Sequence, residues 1–181
     1  MDKQSQRKAL RAVLANISDK ERQSEKIASI LQKLSLPSGS ICIYNSLPSE
    51  VNTKAIIEYF CKSHSVYLPV VDGDDMLLVK VDKDTKYQVA SWGISEPIGE
   101  RLSPDDVRPT VTVTPLLGAD KNLNRLGKGK GYYDRYFERV DTLKVGLAFE
   151  EQILDKVICD KWDKPLDMVI TPSGIIRRQD V

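Results

Sequence analysis

Apolar residues recur first at helical spacing and then in short runs of strand length. Residues 3–34 read as two helices. The first sets Leu10, Val13 and Leu14 on one face, with Arg7, Lys8 and Arg11 around its side. Asn16-Ile17-Ser18 breaks it. Ser18 and Glu21 then form a capping-box pattern that starts the second helix, which turns Ile27, Ile30 and Leu31 inward. Residues 40–44 make a short strand of the buried kind and 45–50 a loop. A helix opens at Asn52-Thr53 and runs through Ile56, Ile57 and Phe60. Two apolar runs, 66–71 and 76–81, flank the turn Asp72-Gly73-Asp74-Asp75 and predict a hairpin. Residues 86–108 read as loop-rich, 110–114 as a strand and 115–123 as a loop. Tyr132, Tyr133, Tyr136, Phe137 and Val140 share one helical face. Further strands are predicted at 144–149, 167–171 and 174–176.

Strands that alternate with helices predict an α/β protein. The expectation is a single domain over residues 1–181, three α/β/α layers around a mostly parallel sheet made mixed by the hairpin. Ligands of such sheets bind outside the carboxyl ends of the strands. The loops after Tyr44, Thr114 and Thr171 are therefore the candidates.

Composition narrows the chemistry. The formal net charge of +1 gives no global pull toward nucleic acid or membrane. Basicity is instead local: Lys121, Arg125, Lys128, Lys130 and Arg135 stand against one acid, Asp134, which suits a small anion. Cys42, Cys61 and Cys159 are scattered and form no CxxC pair, so neither a zinc site nor a disulfide framework is indicated. The single histidine, His64, lies in a polar turn, so no Ser-His-Asp or Cys-His triad can be assembled. With no signal-peptide core and no apolar run near the ~20 residues of a membrane span, the expected location is the cytoplasm.

The most specific stretch is Arg125-Leu126-Gly127-Lys128-Gly129-Lys130-Gly131-Tyr132-Tyr133-Asp134-Arg135. Glycine at every second position lets the backbone take positive φ and brings its N–H groups close to a ligand. Two lysines lie between the glycines, and a helix start follows, whose free N–H groups and dipole favour anions. Polyphosphate fits all three properties. The run is not a P-loop, because neither lysine precedes Ser or Thr. It is not a dinucleotide fingerprint either, because Tyr132 stands where a third glycine is needed.

This run closely resembles the signature of the 5-formyltetrahydrofolate cyclo-ligases, also called 5,10-methenyltetrahydrofolate synthetases. Other landmarks fall in the family's order: Arg7-Lys8-Ala9-Leu10-Arg11, a loop ending in Glu50 before Asn52-Thr53, Trp92-Gly93-Ile94-Ser95-Glu96-Pro97, and Asp167 opening a late strand. The chain departs from the family at Arg7, where a lysine is usual, at Ala119, where an aromatic is common, and at Leu123, where glycine is common.

The resemblance implies an enzyme that uses ATP and Mg²⁺ to convert 5-formyltetrahydrofolate into 5,10-methenyltetrahydrofolate, releasing ADP and phosphate. The formyl oxygen takes the γ-phosphoryl group, N10 attacks the activated carbon, and phosphate leaves. ATP would be held by Arg7, Lys8, Arg11, Arg125, Leu126, Gly127, Lys128, Gly129, Lys130, Gly131, Tyr132 and Tyr133. The folate would be met by Asn45, Glu50 and residues 128–132. Lys128, Lys130 and Tyr132 are the catalytic candidates, with either lysine offsetting charge on the transferred group. Asp134 and Asp167 are the candidate Mg²⁺ ligands. Partners would be small molecules, with no nucleic acid and no membrane, and the chain would act as a monomer.

Overall fold

The structure, a computed structural model, describes residues 1–90 and 93–178. Helix α1 (Lys3–Ala15) is capped by Asp2, whose carboxylate accepts the Ser5 N–H at 2.8 Å. Leu10 and Leu14 are its buried residues, whereas Val13, expected inward, is 38% exposed. Helix α2 (Lys20–Gln32) begins after Asp19, with no side-chain cap at its first turn, so the Ser18–Glu21 capping box does not form. Asp19 accepts a hydrogen bond from the Gln23 amide instead.

Strand β1 (Ser40–Ile43), helix α3 (Lys54–Phe60) and the hairpin of β2 (Ser65–Asp72) and β3 (Asp75–Val81) follow as the pattern predicts. The loop-rich stretch holds more order than expected. It contains a second hairpin, β4 (Tyr87–Val89) with β5 (Ser95–Pro97), and the short helix α4 (Pro104–Val107). Trp92, the first residue of the landmark 92–97, lies outside the described residues. Strand β6 (Val111–Thr114) leads into β7 (Gly118–Asp120), β8 (Arg125–Leu126) and helix α5 (Tyr132–Arg139). Then come β9 (Leu143–Leu147), β10 (Ile153–Leu154), β11 (Met168–Thr171) and β12 (Gly174–Arg177).

The main sheet has the order β12-β11-β9-β6-β1-β2-β3. Its five inner strands are parallel, and each edge strand pairs antiparallel. Alternation along the strands builds two cores. Ile41, Ile43, Val111, Val113, Val145 and Leu147 face α1, α2 and α3. Val169 faces α5, where Tyr136, Phe137 and Val140 pack. Thr112, between two inward valines, points to the α5 side and bonds the Tyr136 hydroxyl at 2.8 Å and Thr142 at 2.9 Å. These are the three layers read from the sequence. β1 and β6 are adjacent, yet β1 continues to β2 on one side and β6 to β9 on the other. The loops after β1 and β6 therefore flank the point where the winding reverses, the place where α/β sheets hold ligands.

Candidate active site

The loop after β1 is held rigid by its own polar groups. Tyr44 is buried, and its hydroxyl donates to the Val51 carbonyl at 2.8 Å. Ser46 and Thr53 exchange backbone-to-hydroxyl bonds of 3.2 and 3.1 Å. The Glu50 carboxylate accepts the Leu47 N–H through one oxygen at 2.7 Å. Its other oxygen lies 3.0 Å from Lys128 Nζ.

The loop after β6 turns back through β7 and β8, which with β10 make a small three-stranded sheet. That sheet delivers the glycine run to the sheet's carboxyl edge. Each glycine there has a guanidinium against it. A Cβ on Gly127 would lie 3.0 Å from Arg125, one on Gly129 3.3 Å from Arg7, and one on Gly131 2.7 Å from Arg135. Gly129 and Gly131 also have φ of +103° and +73°, which side-chain-bearing residues rarely adopt. Arg7 Nε donates to the Gly127 carbonyl at 2.9 Å, Arg11 to that of Lys128 at 3.4 Å, and Arg135 to that of Lys130 at 2.9 Å.

Arg125 is the buried member of this set. It donates to the Pro115 carbonyl at 3.0 Å, stands 3.7 Å from Asp134 and lies over the Tyr133 ring. Burial lowers its pKa, and Asp134 opposes that shift. Its Nε is buried without a hydrogen-bond partner among the described residues. A buried unpaired donor of a cation is costly.

Two cavities meet here. The larger, ≈1040 Å³, opens between the β1 loop, α3, and the start of β5, and Asn45 and Glu50 line it. The smaller, ≈560 Å³, is floored by residues 127–135 and walled by Arg7, Arg125 and Pro115. Leu47 and Ile94 line both, and the Glu50–Lys128 pair joins their linings.

A sequence model of the 5-formyltetrahydrofolate cyclo-ligase family matches residues 1–172. The chain belongs to this family. The 5-formyltetrahydrofolate cyclo-ligase of Escherichia coli is 31% identical over 75% of this chain and 79% of its own length. The NMR structure of 5,10-methenyltetrahydrofolate synthetase from Aquifex aeolicus matches with a TM-score of 0.84 and 34% identity, over 100% of this chain and 95% of that one. The synthetase structure from Mycoplasma pneumoniae matches with a TM-score of 0.76 and 25% identity, over 95% and 99%. The fold class and the assignment to a ligase family are thereby borne out.

Membership does not by itself place each cyclo-ligase residue, and the fold separates those named from the sequence. Arg7, Arg125, Glu50, Asp134 and the run 127–133 line the two cavities, and Arg11 reaches the glycine loop from outside through the Lys128 carbonyl. Lys8 does not. Helical period sets Lys3, Arg7 and Arg11 on one face and turns Lys8 outward, where it is exposed and lines neither cavity. Leu126 is fully buried in the core and lines neither cavity. Tyr133 packs on Tyr136 and Phe137, while the Tyr132 hydroxyl donates to the Gly73 carbonyl at 2.8 Å. Asp167 also lies apart from this set. Its carboxylate accepts the Lys144 N–H at 2.8 Å, at the amino ends of β9 and β11, the edge opposite the cavities. Among the described residues, no three His, Cys, Asp or Glu side chains group as a metal site. No helix there is long and apolar enough to cross a membrane. Sequence reasoning missed Lys3, Asp160, Trp162 and Asp163, which complete the smaller cavity from segments without a motif.

Proposed function

We propose that the chain catalyses the ATP- and Mg²⁺-dependent closure of 5-formyltetrahydrofolate to 5,10-methenyltetrahydrofolate, releasing ADP and phosphate. The observation that carries this reading is the Glu50–Lys128 contact. It joins a guanidinium-lined, glycine-floored cleft to a larger cavity with a carboxylate at its mouth. The cleft fits a triphosphate: Arg7, Arg125 and Arg135 stand beside residues 127–131, and the first N–H groups of α5 open onto the same place. The larger cavity fits the folate, with Glu50 able to accept hydrogen bonds from pterin nitrogens.

A formyl amide is a poor electrophile. Transfer of the γ-phosphoryl group to its oxygen turns that oxygen into a leaving group, and N10 then closes the ring. Such transfer needs positioning and charge neutralisation more than a protein nucleophile, which suits a site without a triad. Lys128, already at the seam, is the residue we assign to the oxygen that accepts phosphate. Lys130 and the backbone of 129–131 would hold the phosphates. Tyr132 positions the loop through its bond to Gly73. A Mg²⁺ ion would lower the charge of the phosphates during transfer, and Asp134 is the carboxylate beside them that would hold it. On this reading the partners are small molecules, and a cytoplasmic monomer suffices.

The test is direct. Purified protein with ATP, Mg²⁺ and 5-formyltetrahydrofolate should release one ADP for each methenyl chromophore formed. Absence of both products would overturn the reading.

A further inference from the structure

The smaller cavity has lining that the glycine run does not explain: Lys3, Asp160, Trp162 and Asp163. Trp162 is 59% exposed, the largest side chain among the exposed apolar residues described, and it stands on the cavity wall. It is displayed by a tight turn in which the Asp163 N–H donates to the Asp160 carbonyl at 3.1 Å. The Asp163 carboxylate accepts the Asp160 N–H at 2.8 Å, so the turn closes on itself twice. Lys3 Nζ ties the turn to α1, at 2.8 Å from Asp160 and 2.5 Å from Asp163. Gln6 adds two bonds to the preceding segment, to the Lys156 carbonyl and from the Ile158 N–H.

Lys3, Arg7 and Arg11 follow one another at four-residue spacing, so one stripe of α1 serves both the Trp162 turn and the glycine loop. Lys3 fixes the Trp162 turn, while Arg7 and Arg11 fix the glycine loop. The distance between the aromatic wall and the phosphate floor is therefore set by a helix and not by a free loop.

We propose that Trp162 is the stacking platform for the nucleotide base, with the turn 160–163 as a base subsite held in register with the phosphate site by α1. This rests on the reading of the smaller cavity as the ATP site. A triphosphate seated on 127–131 leaves its nucleoside within the same cavity, whose wall carries the exposed Trp162 side chain. Stacking uses the face of the base, so the site reads an aromatic ring and demands no hydrogen bond. Lys3 bonds both nearby carboxylates and offsets one of their two negative charges, which weakens their repulsion of the phosphates.

The test compares ATP with inorganic tripolyphosphate by titration calorimetry on the full chain with Mg²⁺. Trp162→Leu should weaken ATP about tenfold, as expected for one lost base stack. It should leave tripolyphosphate unchanged, and Trp162→Phe should restore most of the ATP affinity. Equal ATP affinity in the parent and Trp162→Leu would overturn the subsite. So would a parallel loss for ATP and tripolyphosphate, which would make Trp162 a support of the loop alone. If the parent binds tripolyphosphate but gains nothing from the nucleoside, the subsite fails while the phosphate site stands. If the parent binds neither, the ATP reading fails and the subsite with it.

Discussion

Lys128 Nζ lies 3.0 Å from Glu50 Oε2, and the two side chains come from loops on opposite sides of the point where the sheet's winding reverses. The pair is lopsided: the Glu50 side chain is 7% exposed and that of Lys128 40%. Removing the lysine strands a buried carboxylate. Lys128→Ala should therefore cost about 1–3 kcal/mol of stability as well as about a hundredfold or more in kcat. Adding Glu50→Gln should return most of the stability and none of the kcat. Urea unfolding and steady-state kinetics on the single and double variants read the two effects separately. Stability unchanged in Lys128→Ala would mean the contact is incidental.

Arg135 holds the far end of the glycine loop. It donates to the Lys130 and Asp74 carbonyls at 2.9 Å each and lies over the Tyr132 ring, so it ties the loop to the β2–β3 turn. Arg135→Ala should raise the KM for ATP about tenfold with a smaller change in kcat, because it loosens a positioning contact. Gly131→Ala should do the same by a different route, since its Cβ would stand 2.7 Å from the same guanidinium. The double variant should be no worse than either single one. Multiplying effects would show that the two residues act independently.

The architecture was legible because it rests on local pattern. Periodicity in 3–34, 52–60 and 132–140 and the apolar strand runs name nearly every element of the main sheet. The small pieces were not legible. β7, β8 and β10 are two or three residues each, and a strand that short has no period to detect. The glycine run was readable as an anion loop from its own residues, whereas Arg7 joined it only through the family resemblance. Arg7 lies 120 residues from Gly127, and only folding stacks it on the loop. Asp167 could not be placed, because a carboxylate at a strand start looks alike at either edge of a sheet. Strand direction, which sequence does not print, puts it at the edge away from the cavities.

Leu123 shows how a departure from a family pattern is absorbed. It stands where glycine is common, and it takes φ +67° while being fully buried. The left-handed conformation costs roughly 1–2 kcal/mol. The side chain, packed in the α5 core, offsets that by about 1.5–3 kcal/mol. Leu123→Ala keeps the strain and loses the packing, so it should cost about 2–5 kcal/mol. Leu123→Gly loses the packing but also the strain, and should cost about 1–2 kcal/mol less than alanine. Chemical denaturation would check this order, which reverses the usual penalty for glycine; alanine as the milder change would refute the strain.

Alkaline pH should destabilise the fold through thiol and hydroxyl groups held against the main sheet. Burial pushes the Cys42 thiol from 9.0 up to about 12. It likewise raises the Tyr44, Tyr133 and Tyr136 hydroxyls above their ordinary 10.0. In each case the unfolded chain loses its proton at a lower pH than the folded one. The unfolded state then binds fewer protons, so stability falls as pH rises. The decline should begin near pH 9 with Cys42, at about 1.4 kcal/mol per pH unit, and steepen above pH 10 as the tyrosines join. Cys42→Ala should remove the first part of that decline and leave the steeper one. Urea unfolding between pH 7 and 11 measures both slopes, and a parent protein equally stable at pH 8 and 10.5 would contradict the burial of these groups.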